Sequence, residues 1–293
     1  MGVLYGLSAA LCWGLGDFLI TILTRRIGTP RAIFTTQILS LASWCILLLI
    51  MPSRPDTGIN VWTLAIVAGV CHVTALLLTY RAFEIGTLAL VSPIISGFAV
   101  VTAVLALMSG ERPPVPALVG TLLLITGVIL ATRAPATPGG GSIAGVPQAI
   151  GSALAFGVMF WMFEFIQPTL GFIWPLIVLK IMSSTVGLWG LRKAPLQADS
   201  LHGATASDIP PPAATQSASN WMLAAGVAIA DTAAWVVFIF GTRTEYTTVV
   251  TALASLFSAI TILLAWAFLK DRLAANQWAG IAIVLLGILL VSL

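Results

Sequence analysis

Two stretches decide the fold: "SGERPPVPALVGTLLLITGVIL", residues 109–130, and "LKDRLAANQWAGIAIVLLGILL", residues 269–290. They register without a gap at an offset of 160 residues. Glu111 aligns with Asp271, Arg112 with Arg272, Gly120 with Gly280 and Gly127 with Gly287. A charged turn followed by a glycine-spaced apolar segment is written twice, and self-similarity of this kind marks a duplicated unit. At the same offset Asn60 aligns with Asn220. Earlier in the chain the offset is 143: "GVLYGLSAALCWG" (2–14) lies over "GVPQAIGSALAFG" (145–157), and Gln37 lies over Lys180. The 17-residue difference is the extra length of the loop around 194–219.

Composition says where such a unit folds. The chain has 293 residues, is 59% hydrophobic and carries only 8% charged residues, with a mean hydropathy of +1.06. Soluble domains carry roughly 25% charged residues, so an ordinary wetted surface is excluded. Apolar stretches of about 20 residues, enough to cross a bilayer core, occur ten times: 3–23, 32–51, 61–83, 87–108, 115–132, 146–167, 172–191, 221–242, 247–268 and 275–292. The expected fold is therefore an all-α polytopic membrane protein of ten transmembrane helices in two five-helix repeats. Residues 1–133 would form the first repeat, 134–144 a linker, and 145–293 the second, with a long loop at 192–220. Five is odd, so the second copy enters from the opposite face. Inverted repeats of this kind are a common construction of secondary transporters, with the site near the midplane.

The first span lacks a basic start and exceeds the length of a signal h-region, so it does not read as a cleaved signal peptide. Cys12, Cys45 and Cys71 lie inside spans and read as packing residues rather than disulfides. The loops on the side of the N-terminus carry Arg54, Arg112 and Arg243. The opposite loops carry Arg25, Arg26, Arg31, Arg81, Arg133, Arg192, Lys193, Lys270 and Arg272. Positive residues favour the cytoplasm, which predicts external termini. The small net charge of +3, spread over helix ends, does not point to nucleic acid.

Five ionisable groups fall inside the spans: Asp17, His72, Glu164, Lys180 and Asp231. A charge at the bilayer centre costs about 2.5–3.5 kcal/mol on insertion scales, so such groups normally face a bundle interior or a wet cavity. Each acid has a tryptophan at helical spacing: Trp13 before Asp17, Trp161 before Glu164 and Trp235 after Asp231. An aromatic-walled cavity with a few polar anchors is the usual chemistry of a small-molecule site. The alternative for these rings is the interfacial belt, which is the expected place of Trp62, Trp174, Trp221 and Trp278. Lys180 and Asp231 can be a structural ion pair or substrate contacts. His72 can relay protons, since its ordinary pKa lies near neutrality, or can be a neutral, hydrogen-bonded histidine. Arg81 with Glu84 and Arg243 with Glu245 can anchor helix ends or form a gate. Pro93, in "LVSPIISG", frees a carbonyl and is expected to kink its helix.

No G-x-S-x-G, H-E-x-x-H, P-loop or Cys/His metal spacing occurs. No enzyme activity, metal or cofactor is therefore expected, nor ATP hydrolysis by this chain.

"AALCWGLGDFL" at the start, "YRAFEIGTLALVSPI" leading into span four, and the turns "SGERPP" and "LKDRLA" before spans five and ten resemble the drug/metabolite transporter superfamily, EamA-like branch. The resemblance covers essentially the whole chain. It implies a compact bundle with the path between the halves, lined by spans one, three, four, six, eight and nine, with spans five and ten peripheral, and small metabolites as cargo, often exported by exchange or proton coupling. It also implies cytoplasmic termini, against the charge count. The residues point to a cargo: Asp17 and Asp231 suit a cationic group or a proton and Lys180 suits a carboxylate, together a zwitterion such as an amino acid. The partners expected are a small molecule, the lipid bilayer and protons. A channel, or a membrane scaffold without transport, is the rival reading.

Overall fold

Within a bilayer a backbone must satisfy its own hydrogen bonds, so apolar runs fold as helices. The computed structural model describes residues 2–55, 58–110, 115–132, 143–200, 217–242, 254, 256–269 and 275–291. Among these every regular element is helical. In chain order they are α1 (Gly2–Ile27), α2 (Thr29–Ile50), α3 (Ile59–Ile85), α4 (Leu88–Ser96), α5 (Phe98–Met108), α6 (Val115–Thr132), α7 (Val146–Leu170), α8 (Ile173–Ser200), α9 (Ala218–Thr242), α10 (Phe257–Leu264) and α11 (Ala275–Val291). A π-helical turn, Ala265–Leu269, extends α10. Among the described residues six segments are long and apolar enough to cross a membrane: Leu4–Ile27, Thr29–Ile50, Ile59–Ile85, Val146–Phe163, Ile173–Arg192 and Ala218–Gly241. Shorter apolar stretches are Leu88–Thr102, Phe257–Leu269 and Trp278–Gly287.

Two boundaries differ from those read off the sequence. The expected span 87–108 is two helices, α4 and α5, divided at Gly97. Pro93 inside α4 has no N–H to donate to the preceding turn. The Ser96 hydroxyl then bonds the carbonyls of Ser92 and Pro93, at 3.2 and 3.0 Å. Helix α8 runs on past Arg192 to Ser200, so the loop placed at 192–220 begins later.

Large apolar side chains cover the outside of the bundle, among them Leu49, Leu122, Met222 and Ile229. A wetted protein does not expose such a surface; a lipid-facing one does. On α1 the outward stripe is Leu4, Leu7, Leu11 and Leu15. The three- and four-residue spacing puts Trp13, Gly16, Asp17 and Ile20 on other faces of the helix.

The most extensive packing is between α6 and α11, α1 and α9, α3 and α7, and α2 and α8. Without a hydrophobic drive between helices in lipid, close approach depends on small residues. A Cβ on Gly127 of α6 would stand 2.8 Å from the Gly280 carbonyl oxygen and 2.8 Å from Val284 N of α11. Backbone cannot move aside as a side-chain tip can. Gly127→Leu is therefore expected to cost about 1–3 kcal/mol by overpacking, read as a lower melting temperature in detergent. Thr126→Leu, at the exposed neighbour, should stay near wild type. Equal melting of the two variants would remove this account of the α6–α11 contact.

Two further glycines admit helices close to the centre. A Cβ on Gly14 would lie 2.8 Å from the Phe257 carbonyl oxygen, and one on Gly157 would lie 2.8 Å from that of Phe98. Thr261 Oγ1 donates to the Gly14 carbonyl at 3.3 Å, and Thr102 Oγ1 to the Gly157 carbonyl at 3.0 Å.

Candidate functional site

Those close approaches carry aromatic side chains to the middle of the bundle. Trp13 of α1 meets Trp235 of α9 edge to face, with centroids 5.5 Å apart. Phe160 of α7 stacks on Trp235 at 5.7 Å and on Phe98 of α5 at 4.6 Å. Phe257 of α10 packs against Trp13 at 6.3 Å. Offset-stacked and edge-to-face contacts are the favoured aromatic geometries, so the rings form a fixed wall. Behind this wall lies a cavity of about 150 Å³. Helices α1, α2, α3, α7, α8 and α9 supply its polar lining and part of its aromatic lining, with α4, α5 and α10 contributing Ile95, Phe98 and Phe257; through Gln37 and Lys180, spans two and seven join the lining spans that the resemblance implies.

Five predicted residues line it together: Trp13, Asp17, His72, Lys180 and Asp231, and Trp235 is a sixth. Spacing explains the pairs: Trp13 and Asp17, like Asp231 and Trp235, are four apart on one helix face.

The charges are not equivalent. Lys180 is buried to 2% exposure and donates from Nζ to Asp231 Oδ2 at 2.7 Å, a bond between α8 and α9. The Asp231 side chain keeps 25% exposure. Asp17 has no cation within ion-pair distance among the described residues. Its Oδ2 accepts from Ser92 Oγ at 3.3 Å. Hydroxyls solvate a carboxylate without neutralising it, so at full ionisation the two acids and one lysine leave one negative charge in the cavity.

His72 is buried, with Nδ1 3.0 Å from Ser183 Oγ on α8 and the Phe156 ring at its edge. This is the hydrogen-bonded setting of the second role considered for it, although the ring still reaches the cavity.

Other expectations fall elsewhere. Trp161 is not among the lining residues; its Nε1 donates to Ser109 Oγ at 3.1 Å, at the end of α5. The side chain of Glu164, on α7, lies outside the described residues, as do Arg243 and Glu245. Arg81 and Glu84 form an ion pair of 2.9 Å within α3. Glu84 also accepts from Thr29 Oγ1 at 2.6 Å, joining the last turn of α3 to the first of α2. At the same end Arg25 donates to the carbonyls of Phe83 and Gly86, at 3.2 and 2.8 Å. Arg25 and Glu84 thus tie the helix ends together there, with Arg81 paired to Glu84 along α3.

The sequence reading missed Gln37, Tyr80 and the phenylalanines. Gln37 is the one with a legible signal: it is a polar residue inside an apolar span, aligned with Lys180, and both line the cavity. Tyr80 lies on the same wall with its hydroxyl 3.3 Å from Thr36 Oγ1.

Comparison with known proteins adds a family. The model of the EamA-like transporter family matches residues 1–133 and again 141–293. Among solved structures 22 chains match. One, described only as the crystal structure of a protein, superposes with a TM-score of 0.62 at 14% identity, covering 99% of this chain and 95% of its own. At that identity the likeness is one of fold. No curated protein matches.

Proposed function

This chain belongs to the EamA-like transporter family and is an integral, multi-pass membrane transporter of small molecules; from that premise we propose an alternating-access carrier whose substrate binds in the aromatic cavity. In this reading the chain is two inverted five-helix repeats, spans one to five and six to ten, joined by the linker 134–144. The observation that carries it is a set of matched positions. The 143-residue offset pairs Trp13 with Phe156, Gly16 with Met159, Asp17 with Phe160 and Gln37 with Lys180, and both members of each pair line the cavity.

The packing supports the same symmetry. Exchanging the halves turns the α1–α9 contact into the α7–α3 contact and leaves α2–α8 and α6–α11 unchanged. Gly14 and Gly157 are aligned, and each lies against the carbonyl of a phenylalanine from the other half, with a threonine hydroxyl bonded to its own carbonyl. A site on such an axis can open to either side when one half rocks against the other.

The cargo of this reading is a small metabolite with an amino group, an amino acid or related zwitterion, exported across a bacterial inner membrane. Asp17 takes the ammonium or the coupling proton. Lys180 receives a carboxylate when it exchanges Asp231 for the substrate. The arginine count sets both termini outside the cytoplasm. Protonation or binding at Asp17 then changes the relative stability of the two access states, which is all a coupling site needs to do.

Counterflow in proteoliposomes tests the carrier. Substrate loaded inside is expected to accelerate uptake of labelled substrate, with saturation. A flux that neither saturates nor responds to the trans side identifies a channel, and no flux at all identifies a scaffold; either result defeats the proposal.

A further inference from the structure

We infer that the cavity selects its cargo by an amine carried on a flat aromatic body, and that a carboxylate on the substrate is tolerated but dispensable. The inference rests on the carrier reading for its meaning but on the cavity's own geometry for its content.

The argument begins with the charge left over. Lys180, at 2% exposure, already has a carboxylate at 2.7 Å. A substrate carboxylate therefore has to displace Asp231 from a short, charge-assisted bond. Among the described residues lining the cavity, Lys180 is the one lysine or arginine, so an incoming anion finds no second site. An ammonium needs no such exchange. Asp17 offers a carboxylate that accepts one side-chain hydrogen bond among the described residues, from Ser92, and an ammonium can add a charge-assisted bond to it.

The walls select in the same direction. The faces of aromatic rings carry negative potential and attract cations, best of all Trp. Trp13 and Trp235 stand one turn from Asp17 and Asp231 along their own helices. Phe98, Phe160 and Trp235 stack one on another at 4.6 and 5.7 Å. A further ring can meet such a wall by stacking or edge to face, as these rings meet one another. The volume, about 150 Å³, is that of a cavity which takes a benzene-sized ring. One ring, one short stem and one ammonium fill this description.

The test uses three molecules with the same ring and different charge: phenethylammonium, phenylalanine and 3-phenylpropionate. Binding to the purified full chain in detergent is measured by titration calorimetry. Phenethylammonium is expected to bind at least as tightly as phenylalanine, and at least about tenfold more tightly than 3-phenylpropionate, a tenfold ratio being about 1.4 kcal/mol. In Asp17→Asn the affinity for phenethylammonium should fall about tenfold or more while that for 3-phenylpropionate is unchanged. The wild-type series stands alone if the variant fails to fold. Binding of 3-phenylpropionate equal to or tighter than phenethylammonium overturns the inference, as does no detectable binding of the amine. The carrier reading fails separately. The expected order of binding without counterflow removes the carrier and keeps the cation site. Saturable counterflow of 3-phenylpropionate keeps the carrier and removes the cation site.

Discussion

Asp17→Asn is expected to lower counterflow ten- to a hundredfold and to leave the protein at least as stable as before. The two halves of that statement have one cause. The carboxamide keeps the size of the side chain and an acceptor oxygen for Ser92, so the packing of α1 against α4 survives. What is lost is the charge. An ionic hydrogen bond contributes about 1.5–3 kcal/mol, which converts to the range given when it holds the substrate or a coupling proton. For stability the same charge is a burden, because a carboxylate inside the bilayer without a cation is costly. Neutralising it relieves that cost. Transport by initial rate and melting in detergent check the two halves together. A variant that transports at the wild-type rate, or one that melts far lower, contradicts the role given to Asp17.

Asp231→Asn should behave in the opposite way. Here the charge has a partner, and removing it strands Lys180, which is 2% exposed. Breaking one side of a buried pair costs about 3–5 kcal/mol. The lower end applies, because the Asp231 side chain keeps 25% exposure to the cavity. Lys180→Met, which strands the less buried partner, should cost less. Joining the two, Lys180→Met with Asp231→Leu, removes both charges and should recover most of the loss. The double-mutant cycle on melting in detergent measures the coupling directly. If the single and double variants melt alike and near wild type, the pair contributes nothing to the fold. Two aspartates in one cavity are thus expected to separate in their effect on stability, Asp17→Asn sparing the fold and Asp231→Asn weakening it.

Much of this is legible in the sequence alone. The apolar runs at 3–23, 32–51, 61–83, 146–167, 172–191 and 221–242 each correspond to a long helix, because a lipid-spanning backbone has few alternatives to one. The acids flagged as misplaced in lipid, Asp17 and Asp231, line one cavity with Lys180 and His72, because a charge in lipid has few places to go. Which of them pair was not legible. Lys180 and Asp231 are 51 residues apart in the chain, and only the packing of α8 on α9 decides that they meet while Asp17 stays unpaired. The phenylalanines of the wall were hidden for another reason. In a chain that is 59% hydrophobic, Phe98 and Phe160 look like any other lipid-facing residue. The break of span four at Gly97 was half legible: Pro93 announced a disturbance, but the chain divides four residues later, at the glycine.

Thiol labelling tests most directly whether this cavity is the transport path. In a variant with Cys12, Cys45 and Cys71 replaced by alanine, Phe156→Cys places one thiol on the cavity wall. A membrane-impermeant thiol reagent applied to proteoliposomes should label it, and phenethylammonium should slow the labelling. A thiol that stays unlabelled from both sides of the native membrane, yet reacts once the protein is denatured, would contradict the account.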